Sequence, residues 1–109
     1  DVRRLDDADR LVADGKTDPL YHGIARYAVF EGEATNRVIR LAEAAQVPVY
    51  IVHMNAGGEA DMLKYARERG LKVMGETCPQ YLFFTIDHLR RPDGAKWICS
   101  PPMRTEKDN

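Results

Sequence analysis

His53 closes a largely apolar run, Val47 to Val52, and Asn55, Gly57 and Gly58 follow it within five residues. Neutral imidazole is the commonest side-chain metal ligand. At the C-terminal end of a buried strand it would project toward the rim where α/β proteins bind their ligands. The small residues behind it let backbone approach a bound group closely. Two further segments stop in the same way. Glu76, Thr77 and Cys78 are halted by Pro79, and Cys99 and Ser100 by Pro101 and Pro102; proline cannot continue a paired strand. An imidazole, a carboxylate with a hydroxyl, and a second hydroxyl at three neighbouring strand ends could together hold a metal ion or a polar substrate. Each also has an ordinary explanation: a histidine at a strand end commonly hydrogen-bonds backbone, and paired glycines equally make a tight turn.

The other reactive side chains read more plainly. His22 and His88 fall in loop or helix-edge segments and are expected in solvent. Cys78 and Cys99 have neither zinc spacing nor a disulfide-dense pattern, which points to a reducing compartment. With no histidine near it in sequence, Cys78 is expected to be a packed thiol rather than a nucleophile. Glu76 either supports a ligand or bonds neighbouring backbone. Tyr81, Phe83 and Phe84 form an aromatic cluster suited to packing or subunit contact, and Glu33, Arg37 and Arg40 a solvated helix face.

The elements that must position these residues alternate between helix and strand. Leu5, Ala8, Leu11 and Val12 share a face of a first helix that Gly15 can end. Thr17 to Gly23 reads as a loop, because Asp18 precedes Pro19. From Glu31 to Ala45 the apolar positions Ala34, Val38, Leu41, Ala42 and Ala45 predict a helix facing inward on that side. Val47 to His53 then reads as a strand buried on both faces. Gly58 to Arg69 predicts a helix with Met62, Leu63 and Ala66 inward, stopped by Gly70, and Leu71 to Cys78 a second strand. A third short strand is expected at Ala95 to Ser100, after the loop 90–94, and the last residues, 104–109, resemble the opening of a helix. This order predicts an α/β fold, a βαβ array with a parallel sheet.

The totals bound the function. A chain of 109 residues holds one domain at most, and the whole of 1–109 is expected to be a single partial domain. Sixteen basic and 17 acidic residues are spread along it for a net charge of -1, so no basic face gathers for nucleic acid or an anionic membrane. No apolar run approaches the roughly 20 residues of a membrane span, and the polar opening 1–10 is unlike a signal peptide. These features point to a cytoplasmic protein. The exposed edges of so small a parallel sheet, with the abrupt ends of the pattern, suggest a piece of a larger fold.

Three stretches taken together resemble the hydantoinase and dihydropyrimidinase branch of the cyclic amidohydrolases: EGEATNRVIRLAEAAQVPVYIVHM (31–54), ARERGLKVMGETCPQYLFF (66–84) and GAKWICSPPMR (94–104). Gln80 and Ser100 stand where the dihydroorotase and allantoinase branches carry histidine and asparagine. The resemblance implies a segment of a (β/α)8 metal-dependent hydrolase barrel, around its sixth and seventh strands. It also implies a binuclear zinc site, with His53 as the sixth-strand ligand and with the main chain of Ser100 holding the cyclic amide of the substrate. The family's other ligands, an HxH pair, a carboxylated lysine, a fifth-strand histidine and an aspartate, have no counterpart here. No catalytic residue is therefore assigned, and the chain alone is expected neither to hold the zinc pair nor to turn over hydantoins. Local departures bear on substrate preference. Asn55 to Gly58 replace the usual serines, Tyr27 follows Arg26 where proline is common, and the loop before Gly94 is about two residues short.

The implied reaction is hydrolysis of a hydantoin or dihydropyrimidine to an N-carbamoyl amino acid, by a homo-oligomer, dimer or tetramer. Two other readings stay open. The family includes non-catalytic scaffold proteins that keep the barrel without the metal ligands, and the chain could also be a free-standing α/β module that self-associates through its sheet edges.

Overall fold

A computed structural model describes residues 2–109, with side chains from Arg4 onward; Asp1, which the first helical pattern includes, lies outside the described residues. Helix α1 (Val2–Ala13) ends where Gly15 turns the chain at φ +72°, with the Lys16 amide closing onto Leu11. The segment expected to be a loop is instead a short helix, α2 (Pro19–Ile24). Asp18 is extended, as a residue before proline should be. Pro19 then occupies the first helical position, where its missing N–H costs nothing.

Helix α3 (Ala28–Ala45) starts three residues earlier than the apolar pattern suggests. It stops in a Schellman motif: Gln46 takes a left-handed conformation (φ 57°) and the Val47 amide bonds the Ala42 carbonyl at 3.0 Å. Strand β1 (Val49–Ile51) follows, then α4 (Gly57–Glu68), turned off by Gly70 at φ +82°, then strand β2 (Val73–Gly75). The strands pair in parallel, Val49 with Val73 and Ile51 with Gly75, with α4 as the crossover. Short helix α5 (Pro79–Phe83) and two 3₁₀ turns, Ile86–Arg90 and Gly94–Trp97, complete the chain.

The core lies between α3, α4 and one face of the sheet. Ile39, Ala66 and Val73 are buried there, with Val49, Ile51, Met62, Leu63 and Leu71 packed around them. Alternation along a strand sends Tyr50, Val52 and Met74 to the opposite face, where each is about half exposed. The expectation of a strand buried on both faces is thus met on one face only, among the described residues.

The buried side of α3 meets the expected one at Ala42 alone. Thr35, Ile39 and Ala42 face inward, while Ala34, Val38 and Leu41 are exposed. The helix carries two apolar stripes, and hydrophobic spacing cannot rank them. The choice is made by Thr35, whose hydroxyl has a buried partner on α4.

The third expected strand, at Ala95 to Ser100, is absent. A 3₁₀ turn occupies its first half. Beyond it, the carbonyls of Cys99, Pro101 and Pro102 accept hydrogen bonds from side chains rather than from a neighbouring strand. The last residues form a single turn. There the amide and hydroxyl of Thr105 donate to Asp108, and the Asp108 amide returns to the Thr105 carbonyl.

Candidate functional site

The end of β1 is not a simple strand terminus. The Glu76 amide donates to the Ile51 carbonyl, and a regular parallel ladder would then return through the amide of residue 53. The Met54 amide makes that return bond to Glu76 instead, at 2.9 Å. One extra residue is thereby inserted at the strand end, and His53 takes it up in the left-handed region, φ 57°. Such a bulge re-aims a side chain at a rim, and left-handed backbone is costly for a residue with a Cβ. The His53 imidazole is exposed and makes no hydrogen bond among the described residues, leaving both ring nitrogens open to a ligand.

Everything around the bulge is fastened. The Thr77 hydroxyl donates to the Met54 carbonyl at 2.6 Å, linking the ends of β1 and β2. Gly75 has no side chain because Met54 Sδ occupies the space a Cβ would need. Glu59, buried in the first turn of α4, accepts from the amides of Asn55 (2.9 Å) and Ala56 (3.0 Å) and from the Thr35 hydroxyl (3.0 Å). Ala56 is the residue before the helix and has no hydroxyl, so only the carboxylate half of a capping box is present. The Asp108 carboxylate accepts from the Gly57 amide at 3.1 Å, at the same helix end. Burial resists its ionisation. The Gly57 amide, the two Thr105 donors and the charge of Arg104 outweigh that and hold its pKa below the usual range.

The Ser100 segment is pinned from several sides. Asn55 Nδ2 donates to the Pro102 carbonyl, joining the loop behind His53 to the segment behind Ser100. The Tyr81 hydroxyl donates to the Pro101 carbonyl at 2.8 Å. Burial, then the neighbouring Cys99, pushes that phenol well above its ordinary pKa, so it stays a donor. Arg104 is buried and donates to the Arg26 carbonyl and to Glu31. Burial raises the Glu31 pKa despite the opposing charge and hydrogen bond of Arg104. Ser100 itself is exposed and lines an open hollow with Arg26, Tyr27, Phe30 and Glu31.

His22 is half-buried rather than free in solvent, and Nε2 lies 2.9 Å from the Cys99 carbonyl and 3.5 Å from Ser100 Oγ. A carbonyl only accepts, so Nε2 carries the proton. A nitrogen already protonated cannot take one from Ser100, which rules out a serine–histidine nucleophile here. His88 is likewise half-buried; its Nδ1 lies against the Thr85 backbone and its ring packs with Phe84 and Trp97. Of the aromatic cluster, Tyr81 is buried and Phe84 packs on Trp97, while Phe83 is exposed. Glu76 is exposed and accepts from the Tyr50 hydroxyl at 3.0 Å, a bond that raises the phenol's pKa. Glu33, Arg37 and Arg40 form the expected solvated face.

The structure therefore gathers the three segment ends through backbone and side-chain bonds, but it does not assemble a metal centre. Among the described residues, no three His, Cys, Asp or Glu side chains come together as a ligand group. His53 has the chemistry and freedom of one ligand in a set that other residues would have to complete. Several supporting residues escaped the sequence reading. Glu59, three places after Ala56, could have been found as half a capping box, whereas His22 is 77 residues from Cys99 and left no local signal.

The small parallel sheet with its helices on one face and a gathered rim at the strand ends has the architecture of a segment of a (β/α)8 barrel. Over 97% of its length the chain superposes on 23% of the dihydropyrimidinase of Brevibacillus agri, with a TM-score of 0.92 and 41% identity. A D-hydantoinase from a Bacillus species gives the same TM-score at 39% identity, over 24% of that chain. In sequence it is 50% identical, over 101 residues, to the D-hydantoinase of Streptomyces coelicolor, a match that takes in 91% of this chain and 22% of that protein. No family model matches the chain. Nearly the whole chain thus matches one segment of proteins of the hydantoinase and dihydropyrimidinase family. It spans about a fifth of the length of the curated relatives it matches.

Proposed function

We propose that this chain is the part of a metal-dependent cyclic amidohydrolase that supplies one metal ligand, His53, and the substrate-binding main chain at Ser100. The reaction proposed for the whole protein is hydrolysis of the ring amide of a hydantoin or dihydropyrimidine to an N-carbamoyl amino acid. The observation that carries this reading is the 50% identity with a D-hydantoinase over 101 residues, which takes in 91% of this chain.

The chain's own residues have defined tasks in this scheme. The bulge at the end of β1 turns the His53 imidazole out of the ladder, and Thr77 and Glu59 hold the backbone that follows it. The hydrogen bonds from Asn55, Tyr81 and His22 leave the Ser100 segment no freedom to drift, so its main chain can orient the ring without paying for ordering at each turnover. Zinc, when bound, supplies Lewis acidity toward the amide carbonyl and toward water at neutral pH. The whole protein is proposed to be a cytoplasmic homo-oligomer, dimer or tetramer. No helix among the described residues is long and apolar enough to cross a membrane.

The test is a chimera: the Streptomyces coelicolor D-hydantoinase with this chain in place of its matching segment. It should hydrolyse hydantoin or dihydrouracil, lose activity to a chelator, and lose both bound zinc and turnover on His53→Ala. Zinc content and rate untouched by His53→Ala would overturn the ligand assignment. The 109-residue chain by itself should neither bind stoichiometric zinc nor turn over either substrate.

A further inference from the structure

We infer that His22 is a positioning residue for substrate binding, acting through the Cys99–Ser100 peptide; the inference rests on the hydantoinase reading of Ser100. Nε2 of His22 donates to the Cys99 carbonyl at 2.9 Å. That carbonyl and the Ser100 amide belong to one planar peptide unit. Fixing the oxygen therefore fixes the direction of the amide N–H that Ser100 would offer a substrate. The other bonds on this segment fall further along, on the carbonyls of Pro101 and Pro102. His22 alone among these donors acts on the peptide that contains the Ser100 amide.

The histidine is itself held. It sits in α2, whose start Pro19 sets, and the Arg26 side chain donates to the His22 carbonyl at 2.9 Å. The Arg26 carbonyl in turn accepts from Arg104, four residues beyond Ser100. Helix α2 and the Ser100 segment are thus joined at two points, and the side chain of His22 spans the one nearer the substrate. Because the Nε2 proton is committed to a carbonyl, the group orients and does not exchange a proton with Ser100.

A donor that only aims a binding group should change KM and leave the chemical step alone. In the chimera, His22→Ala should raise KM for hydantoin about three- to tenfold, the scale of one hydrogen bond, with kcat within twofold and bound zinc unchanged. His22→Gln should restore KM to within about twofold, since its amide nitrogen can reach the same carbonyl. Thermal midpoints of both variants distinguish a lost bond from a damaged fold. An active chimera whose KM ignores His22→Ala overturns the positioning role alone. So does a His22→Gln variant that melts normally but binds as poorly as His22→Ala. A chimera inactive before any change at His22 overturns the function reading and this role with it.

Discussion

Asn55 and Pro102 are joined by a buried hydrogen bond from the asparagine amide to the proline carbonyl, and that bond crosses between the two candidate segments. Its donor lies two residues after His53 and its acceptor two residues after Ser100. This one side chain thus ties the backbone behind the imidazole directly to the backbone behind the serine. Neither residue would carry chemistry itself.

Asn55→Ala leaves the Pro102 carbonyl buried without that donor, which should cost about 1–3 kcal/mol. Asn55→Asp should be worse near neutral pH, because a carboxylate would face a carbonyl oxygen in a buried site. Urea unfolding of the hydantoinase chimera checks both. An Asn55→Asp variant as stable as the parent would show that the bond contributes nothing.

Glu59 supports the same loop from below. Its carboxylate takes two amides and a hydroxyl out of water's reach. Glu59→Ala orphans all three donors and should destabilise the fold by about 2–4 kcal/mol. Glu59→Gln keeps one acceptor oxygen, and the Thr35 hydroxyl can turn to accept from the new amide, so its deficit should be roughly half as large. Equal losses in the two variants, measured by thermal unfolding, would contradict this division.

The pH dependence of stability has a local source in Asp108. Its folded pKa is depressed, so it contributes stability above the ordinary carboxylate value of about 3.9, and the contribution fades as pH falls through the folded value. The stability gap between the parent and Asp108→Asn should thus be present at pH 6 and shrink below about pH 4. Glu31 acts in the opposite sense, because its raised pKa makes ionisation unfavourable to the folded state as pH rises through the carboxylate range. A gap between the parent and Asp108→Asn that stays constant from pH 6 to pH 3 would remove Asp108 from the account.

How much of this was legible beforehand depended on whether the determinant was local. The helix stops at Gly15 and Gly70, the βαβ order and the placing of His53 at a strand end follow from short-range pattern, and all appear in the structure. The helix at Pro19 departs from the expected loop because proline keeps only Asp18 extended and itself opens the first turn. The buried face of α3 was misjudged because Thr35 is polar and its partner Glu59 lies 24 residues away. The segment before Ser100 looked like a strand because its residues suit one, but strands need ladder partners and its carbonyls bind side chains. His22, expected in solvent, is half-buried for the same reason: what it touches is distant in sequence.

The bulge at His53 sets backbone stability against the proposed ligand role at one residue. A residue with a Cβ at φ 57° is held in a conformation that glycine adopts freely. Because the imidazole makes no hydrogen bond among the described residues, removing it should remove little packing. His53→Gly should therefore raise stability by about 0.5–1 kcal/mol relative to His53→Ala, while both variants lose the same zinc. The comparison separates backbone from ligand, since both variants lack imidazole and differ in backbone strain and unfolded-chain entropy. If the two variants melted together, the left-handed strain would be no larger than the extra entropy glycine brings to the unfolded chain.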